Sequence, residues 1–105
     1  AMNHMYDAVM KMEQLLESYE RLIGDVSDYM RENGIDYTDD NSVHPAIMVY
    51  DEAGRIYSRL LHTRRLEDLL RLEGEYNFMN AMVAEMKAGA WTGLLTDGKY
   101  STKAV

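Results

Sequence analysis

Apolar residues recur at alternating spacings of four and three along the first part of the chain. They are Met5, Val9, Met12, Leu16, Tyr19, Ile23, Val26 and Met30. A helix with about 3.6 residues per turn keeps such a stripe on one side along its whole length. A second row, formed by Ala8, Leu15, Leu22 and Tyr29, widens the stripe, as expected of a helix that packs against more than one neighbour. The pattern therefore predicts a long helix from about Asn3 to Glu32 that packs on another helix of this chain or on the same helix of another copy.

Charge is distributed unevenly over the 105 residues. The net charge of -7 lies entirely within residues 1–43, because acidic and basic residues balance in the rest of the chain. An acidic helix is poorly suited to binding bare DNA, because phosphate contacts need cations. It suits solubility or a basic protein surface.

Composition excludes several classes of protein. The chain has no cysteine, so neither disulfides nor thiolate metal sites are possible. No apolar run approaches the ~20 residues that span a bilayer, and the N-terminus lacks the layout of a secretion signal. We therefore expect a cytoplasmic protein.

Further helices follow the first. Asn33-Gly34 is a typical helix terminator, and a polar connector leads to Pro45, which is tolerated in a first turn. Ser42 or Asn41 is the expected cap of helix two, whose apolar stripe comprises Ala46, Val49, Ala53, Ile56 and Leu60. The stripe loses its phase at residues 62–65, where the helix either bends or breaks in two. A shorter third helix is expected from about Tyr76 to Lys87.

The end of the chain has a different character. Asp97-Gly98 is favoured in two-residue hairpin turns and is flanked by residues 91–96 and 99–103. A β-hairpin and a frayed tail both fit this pattern. We therefore expect an all-α fold made of an antiparallel hairpin of two long helices and a shorter third helix. Residues 1–90 would form this helical domain, and residues 91–105 a tail or a small C-terminal β-hairpin.

No grouping of side chains indicates catalysis. The three histidines are scattered, and the acidic connector residues Asp36, Asp39 and Asp40 do not match the calcium-binding loop. We therefore expect no catalytic residues, no metal and no cofactor, and hence no enzymatic activity.

Arginines are concentrated in and after helix two. They are Arg55, Arg59, Arg64, Arg65 and Arg71. Guanidinium groups suit bidentate contacts with phosphate or carboxylate. Two interpretations stay open: these residues contact DNA phosphates, or they pair with Glu52, Glu67, Asp68 and the acidic first helix.

The region around the connector resembles the small terminase subunits of tailed phages in the P27-like group. In that family a long helix ends in a glycine and an extended apolar pair, and a short polar loop leads to a His-Pro-Ala or Asn-Pro-Ala helix start. The corresponding residues here are Gly34, Ile35, Tyr37, Asn41, His44, Pro45 and Ala46. The chain departs from the family by continuing well beyond the second helix and by lacking a helix-turn-helix DNA reader.

The resemblance implies a non-enzymatic DNA-packaging factor of a bacteriophage, in the host cytoplasm. Such a protein is a ring-forming homo-oligomer that engages double-stranded DNA and regulates the large terminase subunit. The five arginines would then be the DNA contacts, and the stripe from Met5 to Met30 the coiled-coil-like oligomer interface. The alternative is an acidic helical protein-binding module, such as a phage-encoded inhibitor.

Overall fold

The computed structural model describes residues 2–35 and 44–89 and contains three α-helices in that part of the chain. They are α1 (Met2–Glu32), α2 (Pro45–Leu60) and α3 (Leu66–Lys87), and no strand occurs among the described residues. The all-helical prediction is therefore confirmed there. The predicted tail or β-hairpin around Asp97-Gly98 and most of the polar connector lie outside the described residues.

Helix α1 ends where the sequence predicts. Gly34 has a φ of 66°, a left-handed conformation that favours glycine. The backbone N–H of Ile35 donates to the carbonyl of Met30 at 2.9 Å, and the N–H of Gly34 donates to the carbonyl of Arg31 at 3.3 Å. These bonds satisfy carbonyls that would otherwise be left open at the end of the helix.

Helix α2 begins at Pro45 but has a different cap from the one expected. His44, not Ser42 or Asn41, is the N-cap residue, with an extended backbone. Its Nδ1 atom accepts a hydrogen bond from the backbone N–H of Ala46 at 3.0 Å. A histidine can fill this position because its neutral ring has one acceptor nitrogen.

The third helix begins earlier than predicted, directly after the break that follows helix two. Helix α2 ends at Leu60, and α3 then runs without interruption from Leu66 to Lys87. Thr63 stabilises the turn, since its hydroxyl donates to the carbonyl of Arg59 at 2.8 Å. Gly74 does not interrupt α3, because the buried face of the helix continues past it from Leu72 to Met79. That burial offsets the cost of about 1 kcal/mol for an interior glycine.

The lengths of the helices also differ from the prediction. Helices α1, α2 and α3 have 31, 16 and 22 residues, so α2 is the shortest. All five residues of the predicted α2 stripe are buried. The core is entirely apolar among the described residues, and α1 contributes Ala8, Leu15, Tyr19, Leu22, Val26 and Met30 to it.

Two ion pairs define how α1 and α3 align. Lys11 pairs with Glu73 at 3.0 Å, and Asp25 pairs with Lys87 at 2.5 Å. Both pairs join residues that are 62 positions apart. The two helices therefore run in the same direction.

Candidate partner-binding surfaces

The stripe that was predicted as an oligomer interface lies partly inside this bundle. Tyr19, Val26 and Met30 are buried, whereas Val9 is exposed. The remaining members with described side chains, Met12, Leu16 and Ile23, are half-buried against the core. Helix α1 is rotated so that the neighbouring row, which includes Leu15 and Leu22, also points inward. Contacts within one chain therefore account for the burial of Tyr19, Val26 and Met30 without a second copy.

A second periodic stripe lies on the opposite, exposed side of α1. Its members again follow alternating spacings of four and three: Tyr6, Met10, Glu13, Glu17, Glu20 and Gly24. We call this set the outer stripe. Its first two members are large exposed apolar side chains, and the next three are exposed carboxylates. The sequence contained this signal, but the polar residues on it made the buried stripe the more visible pattern.

The carboxylates of the outer stripe are only weakly neutralised. Glu17 has Arg21 as an ion-pair partner at 3.9 Å, with both side chains largely exposed. Among the described residues, no cation lies within ion-pair distance of Glu13 or Glu20. Exposed ion pairs contribute little to stability. The outer stripe therefore offers apolar area and negative charge to a partner.

An apolar groove lies between α2 and α3 on another side of the bundle. Its volume is about 500 Å³, and it is lined mainly by Met48, Val49, Phe78, Met79 and Met82. Met48 and Phe78 stand at its edges and keep 40% and 54% of their surface exposed. We call this feature the α2–α3 groove.

A basic cleft of about 650 Å³ adjoins the turn between α2 and α3. It brings together four of the five arginines that were singled out in the sequence: Arg59, Arg64, Arg65 and Arg71. His62 and the carboxylate of Asp68 also line it. We call this feature the arginine cleft.

The arginines differ in their partners. Arg55 pairs with Glu52, Arg65 pairs with Glu67, and Arg71 lies 3.4 Å from Asp68 and 4.0 Å from Glu75. Within the described ranges, neither Arg59 nor Arg64 has a carboxylate partner, and Arg64 donates only to the carbonyl of Leu61. Pairing with local acids, one of the two interpretations drawn from the sequence, thus holds for three of the five.

Two further observations on this part of the chain concern metal ligands and membrane spanning. Within residues 2–35 and 44–89, no three histidine, aspartate or glutamate side chains lie close enough together to hold a metal ion. None of the three described helices is long and apolar enough to cross a membrane.

Comparison with known proteins gives a family match. The model of a family described as bacterial epsilon antitoxin matches residues 4–86, which is well over half of the chain and includes parts of all three helices. No curated protein and no solved structure matches the chain.

This match overturns the terminase interpretation. It spans the residues on which that resemblance rested, including Gly34, His44 and Pro45. Those residues end one helix and start the next, a local task that unrelated helical proteins share. The expected role in phage DNA packaging is therefore wrong, as are the expected partners, the large terminase subunit and double-stranded DNA.

Proposed function

Because the chain belongs to the bacterial epsilon antitoxin family, we propose that it neutralises a protein toxin by binding to it, and that it acts without catalysis. The partner of this family is a zeta toxin. The observation that carries the proposal is the family match across residues 4–86. The proposal agrees with the alternative drawn from the sequence, an acidic helical protein that binds and inhibits another protein.

The outer stripe of α1 is the surface that best suits this role. Tyr6 and Met10 are exposed apolar side chains at one end, where they can be buried by a partner. Glu13 and Glu20 follow on the same side and have no ion-pair partner among the described residues. An interface with negative charge on one side requires positive charge on the other. We therefore expect the toxin to present a basic surface with an apolar edge.

Helices α2 and α3 pack against the side of α1 that lies opposite the outer stripe. We infer that α1 and α2 form the antiparallel hairpin expected from the sequence, with α3 returning in the direction of α1. In support, the rings of Tyr29, near the end of α1, and His44, at the start of α2, lie 6.3 Å apart. This arrangement buries one side of α1 and leaves the outer stripe on the other side accessible over its full length.

Growth of cells that express the toxin tests the proposal directly. Cells that express a zeta toxin alone should stop growing, and coexpression of this chain should restore growth. The two proteins should also elute together in size-exclusion chromatography. Failure of the folded, expressed chain to restore growth or to form a complex would contradict the proposal.

Charge reversal then tests the surface. The variant Glu13→Lys/Glu20→Lys changes two unpaired acids of the outer stripe, and we expect its affinity for the toxin to fall at least about tenfold. The matched control is Asp51→Lys/Glu85→Lys, which makes the same change in net charge at exposed acids of α2 and α3. Equal losses in both variants would show that net charge, and not the outer stripe, determines binding.

A further inference from the structure

The α2–α3 groove and the arginine cleft meet at one residue. Arg71 lines both of them. We propose that together they form a second protein-binding surface, which accepts an amphipathic helix of a partner protein. The apolar side chains of that helix would enter the groove, and its carboxylates would contact the arginines of the cleft. Binding at this surface would be a further function, separate from toxin neutralisation and independent of it.

The dimensions of the joint surface suit a helix of about four turns. Met48 and Met82 line the groove, and Ser58 and Asp68 line the cleft. The stretch of α3 from Asp68 to Met82 is about 21 Å long at 1.5 Å per residue. A partner helix of similar length could contact both features at once.

The groove supplies the apolar half of the site. Phe78 is 54% exposed and Met48 is 40% exposed, although each adjoins buried core residues such as Val49 and Met79. Gly74 also lines the groove, and nothing lies within 4 Å of the position that a Cβ atom would occupy there. Aromatic and methionine side chains around a groove are typical of surfaces that accept the apolar face of a helix. A partner that covered Phe78 would remove its large apolar surface from water.

The cleft determines the charge of the partner. The chain as a whole carries a net charge of -7, but Arg59 and Arg64 lack carboxylate partners among the described residues. Guanidinium groups form strong, directional hydrogen bonds with carboxylates. The occupant should therefore be acidic at the end that reaches the cleft. The outer stripe of α1 requires the opposite charge, so the two surfaces select different partner segments.

A designed peptide tests this surface without knowledge of the natural partner. The probe is a labelled helical peptide of about fourteen residues that combines a stripe of leucines with glutamates at its N-terminal or its C-terminal end. One control peptide replaces the glutamates by glutamine, and another replaces the leucines by serine. We expect one of the two glutamate–leucine peptides to bind the wild-type chain in fluorescence anisotropy, and both controls to bind at least about tenfold more weakly.

Variants of the chain locate the binding site. Arg59→Glu/Arg64→Glu and Phe78→Ala should each weaken peptide binding at least about tenfold. The matched control is Arg21→Glu/Arg31→Glu, which reverses two exposed arginines of α1 and should bind the peptide normally. Circular dichroism verifies that each variant is helical, and Arg59→Gln/Arg64→Gln replaces the glutamate variant if that one unfolds.

Several outcomes would overturn the proposal. No binding of either glutamate–leucine peptide to the wild-type chain would do so. If the serine peptide bound as tightly as the glutamate–leucine peptide, the cleft would be only a general anion site. If the α1 control lost as much affinity as Arg59→Glu/Arg64→Glu, the effect of charge would be nonspecific. Growth rescue from a zeta toxin is a separate measurement, which Arg59→Gln/Arg64→Gln should leave intact. A failure of peptide binding at this surface is therefore distinguishable from a failure of the antitoxin function.

Discussion

The hydroxyl of Tyr19 donates a hydrogen bond to the backbone carbonyl of Leu72, with 2.8 Å between the two oxygen atoms. Tyr19 lies in α1 and is fully buried, and its ring packs edge-on against that of Tyr76 in α3 at 5.5 Å. Burial raises the pKa of the Tyr19 phenol far above its usual range, and the negative charge of Glu75 adds to this effect. The hydroxyl therefore stays protonated and joins α1 to α3 as a donor.

Tyr19→Phe should remove this link with little change in packing. We expect a loss of about 1 kcal/mol in the free energy of unfolding, the usual net contribution of one hydrogen bond. Urea denaturation measures the loss. Tyr6→Phe is the control, because Tyr6 is exposed and its change should leave stability unaltered. Equal stability of Tyr19→Phe and the wild type would mean that the hydrogen bond contributes nothing.

The His44 cap should make stability depend on pH. Burial lowers the pKa of His44 below its ordinary value of 6.5, so the folded state favours the neutral ring that accepts from Ala46. Below the ordinary value the unfolded chain binds the proton more readily than the folded one. The contribution of the cap is therefore complete above about pH 6.5 and is lost as the pH falls through the lowered pKa.

Two substitutions of His44 separate capping from titration. Asparagine caps helices without titrating, so His44→Asn should unfold with a weaker dependence on pH between about pH 7.5 and 5. His44→Ala should cost about 1 kcal/mol at neutral pH and less in acid, where the wild-type cap is already lost. Identical pH profiles for His44→Asn and the wild type would contradict the role of the imidazole.

Interior glycines weaken all three helices. Gly24, Gly54 and Gly74 each have open space where a Cβ atom would lie. Alanine at each position should raise the free energy of unfolding by about 0.5–1 kcal/mol. Gly34→Ala is a control with the opposite expected sign. Gly34 has a φ of 66°, a conformation in which a side chain costs about 1 kcal/mol or more. Thermal unfolding of the four variants measures both signs, and a destabilised Gly74→Ala would contradict the open space at that site.

The two ion pairs between α1 and α3 should differ in strength. The Lys11 and Glu73 side chains keep 23% and 32% of their surface exposed, whereas Asp25 and Lys87 keep 44% each. Because solvent screens the second pair more, we expect coupling energies of about 0.5–1 kcal/mol for Lys11–Glu73 and under about 0.5 kcal/mol for Asp25–Lys87. Double-mutant cycles with methionine for lysine and the corresponding amide for each acid measure these energies. A stronger coupling for Asp25–Lys87 would reverse the expected order.

The local sequence around the helix ends was sufficient to predict where two of the helices meet the connector. Asn33-Gly34 and Pro45 act through backbone conformation, which depends on neighbouring residues only. The apolar stripe from Ala46 to Leu60 could also be predicted. Periodicity is a property of the local sequence, so predicting it requires no knowledge of what the helix packs against. These same features misled the functional interpretation, since a helix end followed by a helix start is not specific to any family.

The tertiary structure decided what depends on contacts between distant residues. The rotation of α1 that buries Leu15 together with Tyr19 follows from packing against two helices at once, and so does the continuation of α3 through Gly74. Local propensity disfavours helix at that glycine, and only the burial of Leu72 and Met79 against the rest of the bundle outweighs it. The sequence by itself determined the helical class, the negative charge of α1 and several helix boundaries. Which sides of the helices stay free for partners was determined only when the three apolar faces packed together, because burial is a property of the whole bundle.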